Sequence, residues 1–184
     1  MLSVDDRIWI EKVAAGDPEA IAQFVDRFYP TVFRFLWHSC GSKEDAEDLA
    51  SQALLKARFD IKRFRADGPL AAWMFSIARR EYLQFRRRKA LGSLFEAKHR
   101  SEPDPTCNDD VIVIQQALAR LSPNLRTAFL LTEVEGLTTE EASAAIGIPA
   151  GTVKSRCHHA KKRLREILGP TYPEVSNYVQ PIPD

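Results

Sequence analysis

Apolar residues recur at helical spacing along almost the whole chain, and no stretch shows the two-residue alternation of a strand. Val4, Ile8, Trp9 and Val13 predict a first helix, capped by Ser3 and closed near Gly16. Asp17-Pro18 joins an N-cap residue to a proline suited to a first helical turn. Ile21, Phe24, Val25, Phe28, Val32 and Leu36 then form one stripe ending at Gly41, with Pro30 inside it predicting a kink. Ser42 and Asp45 have capping-box spacing and open a third helix, whose apolar face is Ala46, Leu49, Ala50, Ala53 and Ala57. Beyond the loop Asp60–Pro69, a fourth helix carries Leu70, Trp73, Met74, Ile77 and Ala78.

The pattern dissolves between Ala90 and Asn108, where Pro103, Pro105 and mixed charges read as a linker with one helical turn near Ser93–Lys98. At ~3.3–3.6 Å per residue it reaches at most ~70 Å. Its Glu102 and Asp104 carry the charge a nucleic-acid mimic would need. Helical spacing then resumes. Asp109 or Asp110 caps a helix with Val111, Ile114, Ala117, Leu118 and Leu121, and Ser122-Pro123 starts the next, with Leu125, Ala128, Phe129 and Leu131 before Gly136. Thr138 and Glu141 form a second capping box, Gly147 turns the chain, and a last helix from about Ala150 to Leu168 buries Val153, Cys157, Ala160, Leu164 and Leu168. Two helices joined by a short glycine turn predict a helix-turn-helix. The expected fold is all-α: two small helical domains, 1–89 and 109–168, joined by a flexible linker, 90–108, and followed by a proline-containing extended tail, 169–184.

Charge changes this picture locally. The net charge of +1 conceals an acidic third helix and a basic fourth. Asp45, Asp48 and Gln52 share one face of the third helix with Glu47 beside it, a surface for a cationic partner as well as a complement to the helix dipole. Arg79, Arg80, Arg86, Arg87, Arg88 and Lys89 are interleaved with Tyr82 and Phe85 on the fourth. Cations that follow phosphates and rings that stack bases hold single strands, although the same rings also suit a core. On the last helix Lys154, Ser155, Arg156, His158, His159 and Lys162 lie off the apolar stripe, and no acid occurs between Ala150 and Arg165. Donors early in a helix that reach base edges, with later cations on phosphates, make a recognition helix.

Other chemistry is weakly represented. Three cysteines without a C-x-x-C pair argue against a disulfide framework and fit a reducing cytoplasm. Cys157 lies on the buried stripe while His159 points outward, so no metal centre is expected. MLSVDDR lacks the apolar run of a signal peptide, and no apolar run approaches the ~18 residues of a membrane span. No catalytic constellation, cofactor motif or G-x-x-x-x-G-K-[ST] loop stands out.

The runs RFYPTVFRFL, DAEDLASQALLKA, RFRADGPLAAWMFSIAR and the RRR cluster, followed by ALARLSPNLRTAFLLTEVEGLTTEEASAAIGIPAGTVKSRCHHAKKRLRE, resemble the extracytoplasmic-function (ECF) sigma factors of bacterial RNA polymerase. The resemblance covers nearly everything from Asp17 to Leu168. It implies a non-enzymatic initiation factor that recognises promoters and opens DNA strands, with core RNA polymerase, promoter DNA and an anti-sigma protein as partners. It points to Asp45, Glu47, Asp48, Leu49 and Gln52 for polymerase docking. Phe64, Arg65, Asp67, Trp73, Arg79 and Arg80 fall to the minus-10 element, and Lys154, Ser155, Arg156, His159 and Lys162 to the minus-35 element. The family often has asparagine where Arg80 stands and arginine where His159 stands, departures that bear on promoter sequence. The alternative reading is a polymerase-independent regulator that uses the helix-turn-helix alone.

Overall fold

The computed structural model describes residues 4–66, 68–92 and 109–169. The expected linker turn near Ser93–Lys98, the tail beyond Gly169 and the candidate Asp67 lie outside the described residues. Residues 4–92 form four α-helices: α1 (Val4–Ala15), α2 (Pro18–Cys40), α3 (Lys43–Asp60) and α4 (Leu70–Gly92). Residues 109–169 form four more: α5 (Asp109–Ala119), α6 (Pro123–Phe129), α7 (Thr139–Ile146) and α8 (Ala150–Leu168). The described residues contain no strand.

Local chemistry sets most of the helix ends. The Asp17 carboxylate accepts from the Ala20 N–H at 2.8 Å to start α2, and Gly41, at φ 79°, lets its N–H close back on the Trp37 carbonyl. Ser42 Oγ accepts from the Asp45 N–H to start α3. Thr138 and Glu141 form both bonds of the capping box on α7. Pro30 does not end α2, which continues on both sides of it with the ring exposed.

The first four helices pack around Phe24, Phe35, Leu36, Leu49 and Met74, all fully buried. α3 lies between α2 and α4, and its Ala46, Ala50, Ala53 and Ala57 are buried completely. The last four helices close around Ile114, Leu118, Phe129, Leu130, Leu131 and Leu164, with α8 set against α5, α6 and α7. Between α6 and α7 the chain widens into one π-helical turn, Leu130–Val134, a feature the hydrophobic pattern does not signal.

The two groups of helices also meet. α5 and α6 rest on α2, and α7 rests on α4. The Arg126 guanidinium donates to Ser39 O at the end of α2 and to Ala119 O and Leu121 O at the end of α5, joining two carbonyl-rich helix termini. Tyr82 Oη donates to the same Ser39 oxygen at 2.8 Å. Arg34 of α2 forks onto Glu135: Nε donates to Oε1 at 2.9 Å and Nη2 to Oε2 at 2.6 Å. His38 is buried beside Gln115 of α5, and neither imidazole nitrogen has a hydrogen-bond partner. A buried polar atom left unpaired costs about 1–3 kcal/mol, so this contact is well packed yet imperfectly satisfied.

Burial pulls the His38 imidazole down to about 3; the neighbouring Gln115 side chain opposes it, and the charge of Arg34 adds a smaller downward push. A group held neutral in the fold but titrating near 6.5 when solvated contributes no destabilisation above pH 6.5. Stability then falls as the pH drops from that value towards 3, because the exposed state binds the extra proton. In urea unfolding, the wild type should lose about 2 kcal/mol more than His38→Gln between pH 7 and pH 5. Equal losses in the two proteins would place the imidazole in water.

Candidate docking and nucleic-acid faces

The alanine stripe turns one side of α3 towards α2 and α4, which leaves Glu47, Asp48, Ser51 and Gln52 facing solvent. Asp45 is half-buried and paired with Lys89 of α4 at 3.1 Å. Of the five residues expected in a docking face, Leu49 stands apart. It belongs to the core and supports the helix from behind. Two residues not anticipated as part of the face extend it: Leu55 and Phe59 follow Asp48 and Gln52 along the same side and are 56% and 60% exposed. Large apolar side chains at four- and three-residue steps beyond a carboxylate are legible in sequence once the core stripe is known. The exposed strip therefore runs from acidic to apolar.

α4 divides in a similar way. Phe64, in the loop, packs its ring against Trp73 at 5.4 Å, and both are half-exposed. Arg65 and Arg80 are exposed, and Arg80 Nε donates to the Ser76 carbonyl at 3.3 Å. Arg79 is half-buried; burial, and secondarily the charge of Arg156 on α8, pull its guanidinium down. Tyr82 departs from the expected arrangement. It is a core residue bonded to Ser39, so its ring presents no face to a base, whereas Phe85 is half-exposed under Lys89. Glu81, the acid within the basic run, is buried and receives the Lys56 ammonium at 2.6 Å, tying α4 to α3.

On α8, Val153, Cys157, Ala160 and Leu164 are buried while Lys154, Ser155, His159 and Lys162 stand exposed and Arg156 is half-exposed. Cys157 packs against Thr132 and Glu133 at 3.2 Å each, and burial raises its thiol above the ordinary range. Lys161 pairs with the same Glu133. The widened turn thus sends Glu133 to α8 and Glu135 to α2. Ser143 Oγ donates to Ile148 O at 2.6 Å and, with Gly147 at φ 77°, fixes the turn between α7 and α8. Among the described residues, no three His, Cys, Asp or Glu side chains converge as metal ligands.

Known proteins resemble this chain in both groups of helices. The sigma-70 region 2 model matches residues 24–91, and the sigma-70 region 4 model matches residues 112–164. ECF RNA polymerase sigma factor SigM of Mycobacterium tuberculosis (strain H37Rv) is 30% identical over 161 residues, covering 84% of this chain and 80% of SigM. The chain belongs to the ECF sigma factors. Sigma factor SigW of Bacillus subtilis is 26% identical over 176 residues, 86% of this sigma factor and 94% of SigW. Among solved structures, the sigma factor RpoE of Bartonella quintana, in complex with the anti-sigma factor NepR, is similar with a TM-score of 0.69 and 30% identity. That likeness covers 81% of this sigma factor and 96% of the RpoE chain.

Four of the six buried side chains of α3 are alanine methyls, beside Leu49 and Leu54. Ala50→Leu should cost about 1–3 kcal/mol in urea unfolding by overpacking this layer. Ser51→Leu, one position further and exposed, should stay within about 0.5 kcal/mol of wild type. Similar effects at both positions would contradict the packing of α3.

Proposed function

We propose that this sigma factor divides its work among three surfaces. The outward side of α3, with Asp45, Glu47, Asp48 and Gln52, docks on core RNA polymerase, and Leu55 and Phe59 add apolar area to the contact. The loop at Phe64 and Arg65 and the start of α4, with Trp73, Arg79 and Arg80, hold the separated strands of the minus-10 element. Lys154, Ser155, Arg156, His159 and Lys162 of α8 read the minus-35 element as duplex. The observation that carries this reading is the segregation of charge on adjacent helices: exposed carboxylates on α3, and exposed cations with half-exposed rings on α4.

Opening duplex DNA forfeits stacking of about 1.4 kcal/mol per step. The sequence holds no G-x-x-x-x-G-K-[ST] loop, so binding itself supplies the energy. Bases drawn from the stack recover part of the loss on ring faces at ~1–3 kcal/mol each, and phosphate contacts add salt-dependent affinity. The protein is an initiation factor with no reaction of its own, acting in the cytoplasm without a cofactor. No described helix is long and apolar enough to cross a membrane. An anti-sigma protein is proposed as its regulator, by analogy with the NepR-bound RpoE relative.

Asp48→Lys reverses an exposed charge on α3 and should abolish promoter-directed transcripts in a reconstituted run-off assay while helicity is retained. An unchanged transcript level would shift the function to α8 alone, as in a polymerase-independent regulator. Arg156→Ala should weaken promoter binding by ~1–3 kcal/mol, the value of a bidentate base contact. Unaltered binding and transcription at physiological salt would remove α8 from the groove.

A further inference from the structure

The loop between α3 and α4 is clamped at both ends. It leaves α3 through a 3-10 turn, Ile61–Arg63, on which α1 rests and in which Ile61 is buried. The Phe64 N–H then donates to the Ile61 carbonyl at 3.0 Å, and the Phe64 ring packs against Trp73 at 5.4 Å with the planes tilted by 50°. At the far end the Trp73 N–H donates to the Pro69 carbonyl at 3.3 Å. Between these fixed points Ala66 is left-handed, at φ 58°. Among the described residues it is the one non-glycine with a positive φ.

That conformation is costly, because it brings the Cβ of an L-residue against the following carbonyl oxygen. Glycine escapes the cost, yet Gly68, two residues on, does not take a left-handed φ. The chain therefore sets its left-handed turn on an alanine with a glycine close by. Such a backbone persists only where its surroundings over-determine it. Here the surroundings are the contact of Phe64 with Trp73 and the hydrogen bonds on either side. The same two half-exposed rings are those offered to separated bases, and in the free chain they cover part of each other. A base that enters between them parts the rings, and with that the clamp on Ala66 is lost.

We propose that Ala66 is a positioning residue that stores backbone strain in the free loop and releases it when a minus-10 base parts Phe64 from Trp73. This rests on the reading of that loop as a base-holding element. Strain raises the free state and not the engaged one, so its release adds to the binding energy that opens the duplex. A residue that tolerates a left-handed φ removes the strain before DNA arrives. It therefore stabilises the free fold and weakens opening. A substitution that only loosened or tightened the fold would not set these two effects against each other.

The test compares wild type with Ala66→Gly and Ala66→Asn, since glycine enters the left-handed region freely and asparagine more readily than alanine. Urea unfolding of the free full-length chain reads the midpoint. Core RNA polymerase saturated with each protein is titrated against a promoter duplex carrying 2-aminopurine in its minus-10 element, which reads the concentration for half-maximal opening. The urea midpoint should rise in both variants, and more in A66G. The half-opening concentration should rise as well, by about five- to thirtyfold in A66G and by less in A66N. That range is the equivalent of the roughly 1–2 kcal/mol that a left-handed L-residue costs. Midpoints no higher than wild type would show Ala66 to be unstrained and overturn the proposal. Raised midpoints with opening as strong as wild type would overturn the release of strain on engagement. Weaker opening in A66G alone would assign the effect to chain freedom and overturn it too. A wild type that opens no promoter with polymerase would refute the proposed function, and the release with it, while the urea comparison would still decide whether Ala66 is strained.

Discussion

The close packing of α3 between α2 and α4 is the constraint on which the rest of the molecule depends. Four fully buried alanines, at positions 46, 50, 53 and 57, present methyl groups where larger side chains would hold the helices apart. Interhelical distance follows the size of the side chains at the contact, and alanines supply four of the six buried side chains of α3. Because that side is committed to the core, the carboxylates and Gln52 must face outward. Lys56 of the acidic helix then reaches across to Glu81 of the basic one, and Lys89 to Asp45, so that two ion pairs of opposite polarity tie α3 to α4.

This arrangement lets opposite chemistries coexist within some fifty residues. Were the carboxylates of α3 and the guanidinium groups of α4 to face the same way, they would neutralise one another and offer nothing to either partner. Asp45 is spent on Lys89, whereas Glu47 and Asp48 on α3 and Arg80, Arg86, Arg87 and Arg88 on α4 stay exposed. The second helical group repeats the principle on one helix: α8 buries Val153, Cys157, Ala160 and Leu164 and turns Lys154, Ser155, His159 and Lys162 to solvent. The π-helical turn after α6 adds a connection in each direction, Glu133 to α8 and Glu135 to α2.

Much of this was legible in the sequence because helix ends and helix faces are local properties. Asp17, Ser42 and Thr138 act through N–H groups three residues away, and Gly41 and Gly147 take left-handed conformations, so caps and turns fall where the residues demand. The all-α fold, the helix-turn-helix and the outward faces of α3 and α8 follow from the same periodicity. Tyr82 was not legible in this way. Among arginines its ring fits base stacking and core equally well, and only the position of Ser39, 43 residues away, decides for the core. Nor do Arg34 and Glu135 carry any local sign of each other, since their meeting depends on how two helical groups dock. Leu55 and Phe59 pass for core in a list of apolar residues until the alanines show which side of α3 is already occupied.

The central claim is that docking through α3 lets α4 hold opened DNA with binding energy alone. The most direct measurement places 2-aminopurine within the minus-10 element of a duplex promoter and follows its fluorescence without nucleotides. The account predicts a rise only when this sigma factor and core RNA polymerase are both present. No rise with both, or an equal rise with the sigma factor alone, would contradict it.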